Sequence, residues 1–135
     1  MASIDLHNQV TPAVALTIQD ITTDTTTAGE IIDMSGHYSL EFLLLSGTLT
    51  AGTFTPLVEH GDDAALADAA TVGTDFLLGT VTDATFADTD DDSVKRIGYV
   101  GHKRYVRLSI VSAGTANGTM SAIAVKSDPR DAPTA

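Results

Sequence analysis

Four aspartates in five residues, DTDDD at Asp88–Asp92, stand just before five of the chain's 7 Lys+Arg: Lys95, Arg96, Lys103, Arg104 and Arg107. Carboxylates this close together supply the hard oxygen ligands that calcium prefers. An EF-hand loop counted from Asp88 would need Gly at its sixth position and Glu at its twelfth, where this chain has Ser93 and Tyr99. The run therefore reads as a solvated acidic loop, as does Asp62-Asp63. His7, His37, His60 and His102 are scattered, with no spacing that sets two imidazoles on one metal ion. Ser35-Gly36 and Ser46-Gly47 do not complete the Gly-x-Ser-x-Gly elbow that presents a nucleophilic serine. Phosphate-cradling glycine motifs are absent, and with Cys 0 there is neither thiol chemistry nor a disulfide staple. Neither catalysis, a cofactor nor a bound metal is expected.

The basic residues carry the remaining question, because the chain has a formal net charge of -11. One reading is local balance: Lys103 and Arg107 on the outer face of a strand, with Arg104 at its start, pair with Asp90–Asp92 across a surface where such pairs are worth little. The other reading is contact: Arg104, Tyr105 and Arg107 present a cationic, aromatic-bearing patch to the acidic surface of a neighbouring copy, using residue types enriched at interface hot spots. The interface candidates are Lys103, Arg104, Tyr105 and Arg107, together with Arg96 and the tail prolines Pro129 and Pro133. A net charge of this sign repels phosphate backbones, so no nucleic-acid partner is expected.

The elements that position these residues read as strands. Thr, Gly, Ala, Asp and Val dominate, while the usual fillers of helix surfaces are scarce. In HYSLEFLLLSG, Tyr38, Leu40, Phe42 and Leu44 share one face, and Leu43 and Leu45 add apolar weight to the other, which predicts burial on both sides towards its end. GTLTAGTFTPLVEHG reads as a hairpin with Gly52 in the left-handed region, its second strand an edge or a bulge at Pro56. GDDAALADAATVG has rising helix propensity but is short enough for one turn or a loop. In KRYVRLSIVSA, Val106, Leu108 and Ile110 face one way and Tyr105, Arg107 and Ser109 the other. GTANG then predicts a second hairpin turning at Asn117-Gly118. With TPAVALTI and EIIDM the count reaches about eight strands.

An all-β fold follows, an antiparallel β-sandwich or jelly roll, as one domain over residues 1–127, with 1–12 as a candidate N-terminal arm and 128–135 as an extended C-terminal tail. The start has no basic segment followed by an apolar one, and no run approaches the eighteen apolar residues of a membrane span, so a soluble protein made in the cytoplasm is expected, with no membrane partner.

Taken together, SGTLTAGTFTPLVEHGDDAAL, LLGT, KRIGYVGHKRYVRLSIVSAG and AIAVKSDPRDAPTA resemble a family of small structural proteins encoded among the head-assembly genes of tailed bacteriophages and prophages. The resemblance runs from about Leu40 to the C-terminus. Its most specific element is G-Y-x-G-x-K-R-Y-V-R, matched at Gly98, Tyr99, Gly101, Lys103, Arg104, Tyr105, Val106 and Arg107. It implies a virion structural protein without catalytic residues: a decoration or cement protein made in the host bacterial cytoplasm and seated on the capsid exterior. The implied partners are the major capsid protein and other copies of the chain, as a homotrimer. Two alternatives stand beside it, a head-tail joining or tail-tube protein and a virion-surface carbohydrate-binding module. The second is weakened by the scarcity of aromatic residues.

Overall fold

Alternating apolar residues and an abundance of β-branched Thr, Val and Ile drive this chain into long extended segments. The computed structural model describes residues 6–129. After a single helical turn, α1 (Leu6–Gln9), come β1 (Thr11–Ile21), β2 (Thr26–Asp33), β3 (His37–Gly61), β4 (Ala70–Thr71), β5 (Leu77–Leu78), β6 (Phe86–Ala87), β7 (Val94–Tyr99) and β8 (Tyr105–Pro129), with a 3-10 turn at Thr74–Phe76. Every pairing is antiparallel, and the strands join in one sheet of order β1-β8-β3-β7-β5, with β2 also on β8 and β4 and β6 on β3. The expected all-β class holds, built as one continuous hydrogen-bonded sheet.

The expected segmentation needs correction at two places. Neither GTLTAGTFTPLVEHG nor GTANG turns the chain back. β3 and β8 are each 25 residues long and pair along their whole length, from His37↔Pro129 to Gly61↔Tyr105. The left-handed residues that resembled hairpin turns are bulges in these strands: Gly52 at φ 87, and Gly114 at φ 77 with Thr115 at φ 61 in place of Asn117-Gly118. The register slips between Ser46 and Thr53 of β3, opposite the stretch of β8 that holds Gly114 and Thr115, and then recovers. β1 and β2 run in line beside successive lengths of β8, with residues 22–25 crossing the same level. Three long tracks of chain are thus creased together, because bulges sharpen the bend and twist of a sheet.

Side chains pin the crease. Asp24 accepts the N–H groups of Thr115 (3.1 Å) and Ala116 (2.8 Å), and these bonds hold its carboxyl below the usual carboxylate range. The buried Ser112 hydroxyl donates to Thr23 O (2.7 Å) and accepts from Thr25 N (3.0 Å). At Gly52 a β-carbon would lie 2.5 Å from Ala113 O and 2.7 Å from Ala116 Cα, so both its φ and the closeness of β8 require glycine.

The crease folds the sheet over its own apolar face. Even-numbered residues point into the core on both sides of it: Leu40, Phe42 and Leu44, then Phe54 and Val58, in β3; Val106, Leu108 and Ile110, then Met120, Ala122 and Ala124, in β8. All belong to one buried cluster with Ile97 and Tyr99 of β7. Tyr38, expected on that face, is instead 64% exposed where β3 begins. Pro56 sits between the short partners β6 and β4, where Val72 N bonds Val58 O, so its missing N–H falls at the gap in the edge as expected.

β1 starts at Thr11, inside the expected N-terminal arm, and β8 carries the sheet to Pro129, two residues into the expected tail. Pro133 lies outside the described residues. As expected of a segment too short for a stable helix, residues 62–69 form turns in which Asp68 accepts from Asp62 N and Asp63 N, and Asp63 from Ala65 N and Ala67 N.

Gly52→Ala is expected to destabilise the protein by about 2 kcal/mol or more, combining a left-handed penalty with a backbone clash. Gly73→Ala, whose added β-carbon meets nothing within 4 Å, should fall within about 0.5 kcal/mol of the parent. Urea unfolding of the two variants checks the difference.

Candidate functional site: the cleft where the folded sheet meets itself

Folding the sheet brings its two far ends together, and two short connections close them. The turn Met34–His37, with Gly36 at φ 86, joins β2 to β3. Residues 100–104 join β7 to β8. Met34 N donates to Arg104 O at 2.7 Å and ties one connection to the other. Between them lies an open cleft of about 540 Å³ whose lining includes His37, Tyr38, Asp62, His102, Lys103 and Arg104.

The G-Y-x-G-x-K-R-Y-V-R segment builds this corner. Tyr99 is 1% exposed, and its hydroxyl accepts the Lys103 N–H (3.1 Å) while sharing a 2.8 Å hydrogen bond with His60 Nδ1. A β-carbon at Gly101 would collide with that same ring, so the loop can wrap Tyr99 only with glycine there. Burial pushes the Tyr99 hydroxyl's pKa up, and burial followed by the Lys103 charge pulls that of His60 down. The Tyr99 hydroxyl is enclosed by its own loop and by His60 and acts as a strut that fixes the loop.

Lys103, Arg104 and Arg107 are each committed, and to partners other than those expected. Asp90–Asp92 do not receive Lys103, Arg104 or Arg107. Lys103 pairs with Asp62 (2.7 Å), Arg104 grips Asp33 through two bonds of 3.0 Å, and Arg107 pairs with Glu59 (3.0 Å). Within the cluster only Lys95 meets the acidic run, at Asp90 (3.4 Å), while Arg96 stands 4.0 Å from Glu41. Arg104 and Lys103 hold raised pKa values through these partners, and the Arg104 guanidinium holds the Asp33 carboxyl below its usual range. Arg107 and Glu59 are 23% and 20% exposed, so their pair belongs to the packing of β3 on β8. Arg104 also lies over the Tyr105 ring, 5.1 Å from its centroid.

Of the sequence candidates, the structure brings Lys103 and Arg104 together in the cleft. Tyr105 and Arg107 lie next to them along β8, Arg96 sits on β7 outside the cleft, and Pro129 ends β8 opposite His37. Residue spacing missed His37, Tyr38, Asp62 and His102, which come from the start of β3, the turn after it and the β7–β8 loop and carry no shared motif. Among the described residues no group of three or more His, Cys, Asp or Glu is placed to hold a metal ion. With donors on Lys103 and Arg104 and an exposed Tyr38 ring, the cleft has the chemistry to bind acceptor groups of a partner.

No family model matches the chain, and no curated protein does. Among solved structures it is similar in fold to the SPBc2 prophage-derived protein YomS, with a TM-score of 0.54 and 11% sequence identity over 87% of this chain and 91% of that one.

Because the folded-state pKa of His60 lies below its ordinary 6.5, the unfolded chain takes up that proton first as pH falls. Its contribution to stability is therefore present above pH 6.5 and lost below it. The urea midpoint is expected to drop between neutral and mildly acidic pH, and less steeply in His60→Gln. Tyr99→Phe should cost about 1–2 kcal/mol at neutral pH by leaving the Lys103 N–H without its acceptor.

Proposed function

We propose that the protein is a structural component of a phage virion, a decoration protein that binds the major capsid protein on the outer surface of the head and stabilises the lattice without catalysing a reaction. The observation that carries this reading is the likeness in fold, along 87% of the chain, to a prophage-derived protein. The sequence resemblance to head-associated phage proteins points the same way. So does the surface: a net charge of -11 disfavours contact with packaged nucleic acid and leaves protein as the partner.

In this reading the shell is met at the cleft. Lys103 and Arg104 are 44% and 55% exposed even while paired, so their remaining donors stay available to backbone carbonyls or carboxylates of the capsid protein. Arg107 lies too deep for that role and acts on stability instead.

Purified protein is expected to co-sediment with empty heads at a copy number that repeats over the lattice. The double variant Lys103→Ala/Arg104→Ala should bind about tenfold or more weakly, with little change in its urea midpoint. Arg107→Ala should show the opposite pattern, a lowered midpoint with shell affinity retained. Association with tails alone, or with no part of the particle, would replace the decoration reading with the head-tail alternative or with none.

A further inference from the structure

The outer surface of the sheet half formed by β1, the end of β8, the start of β3 and β7 carries a set of exposed apolar side chains, among them Leu45, on the face of β3 where the sequence predicts burial. Register places Val14 opposite Ile123, Ile123 opposite Leu43, and Leu43 opposite Arg96, one row across four strands. The next row sets Leu45 beside Val94. Val14, Ile123, Leu45 and Val94 are 54%, 49%, 47% and 64% exposed. Scattered apolar residues on a surface need no explanation, but a contiguous set on adjacent strands marks a contact face.

This face also carries one cation and one acid that are poorly used within the chain. Arg96 is 80% exposed and reaches Glu41 only at 4.0 Å, the longest ion pair of the cluster. Glu41 lies in the row on the other side of Leu43, opposite Gly98, and its side chain is 34% exposed. Burial pushes its carboxyl up, with the Arg96 charge a smaller opposing effect. The two line an open cleft of about 510 Å³ beside the half-exposed Leu78, with a second acid and base, Asp83 and Lys95, also lining it.

We infer that this face pairs two copies of the chain around a two-fold axis, apolar row on apolar row, with Arg96 of each copy on Glu41 of the other. The occupant follows from charge. A face holding one group of each sign is complementary to itself, and an isologous contact satisfies both groups twice over. A partner of uniform charge would match one and repel the other. Arg is also the charged residue best suited to the centre of an interface, since its planar fork binds a carboxylate through two bonds. A three-fold assembly would have to use a different surface, and the cleft proposed to meet the shell lies elsewhere.

The test uses the full chain and two single charge reversals. By sedimentation equilibrium the parent is expected to reach twice 14.0 kDa at micromolar concentrations. Arg96→Glu alone sets acid against acid, Glu41→Arg alone sets base against base, and each should weaken the pair about tenfold or more. An equimolar mixture of the two variants should recover the dimer, because one copy then brings an acid at both positions and the other a base at both, so that opposite charges meet at each contact. Pairing inside one chain cannot mimic that recovery. Leu45→Asp, away from the charges, should also yield monomer, with urea unfolding showing that it folds. A parent that stays monomeric or forms trimers, single variants that dimerise as the parent does, or a mixture that fails to recover would overturn the inference. Shell co-sedimentation of Arg96→Glu separates this from the decoration reading: loss of the dimer with shell binding retained leaves that reading standing.

Discussion

The crease shared by three long tracks of chain is the constraint on which this molecule depends. A ribbon of two 25-residue strands with one apolar face has nowhere to bury that face unless another layer covers it. This chain supplies the second layer from the same ribbon, by bending it at Gly52 and at Gly114-Thr115 until the even-numbered side chains of both halves meet. The bend concentrates backbone groups that have lost their ladder partners, and Asp24 and Ser112 satisfy them from the neighbouring track. Core, crease and capping polar groups are therefore one cooperative unit.

From the bend follows the position of the cleft. Folding brings the two ends of the sheet together, so the Met34–His37 turn and the 100–104 loop can be short and can touch. The cleft is what remains between them. Tyr99 organises it from beneath, buried in the core yet ending in a hydroxyl that fixes the loop bearing Lys103 and Arg104.

Concentrating the cations in one segment now has a physical reading. Residues 95–107 cross from β7 to β8, touching the acidic loop, β3, the end of β2 and the turn after β3. A chain with few bases places them where one short segment can meet acids from the most elements. Exposed pairs add little each, but they cancel charge at the seams and leave the rest of the surface acidic. Only the Arg96–Glu41 pair is left loose, on the face with the most exposed apolar side chains.

Local residue patterns by themselves determined that this chain is β, which side chains of Leu40–Leu44 and Val106–Ile110 face the core, that Pro56 marks an edge, and that the basic segment is the part to watch. These depend on alternation, on proline's missing N–H and on composition, all properties of a few consecutive residues. Tertiary structure decided whether a left-handed glycine reverses the chain or bends it, because both uses need the same φ and differ only in which distant strand lies alongside. It decided too which acid each base meets, and whether the second face of Leu43 and Leu45 would be covered. Those outcomes depend on pairings between residues far apart in sequence, and no short-range pattern encodes such a partner.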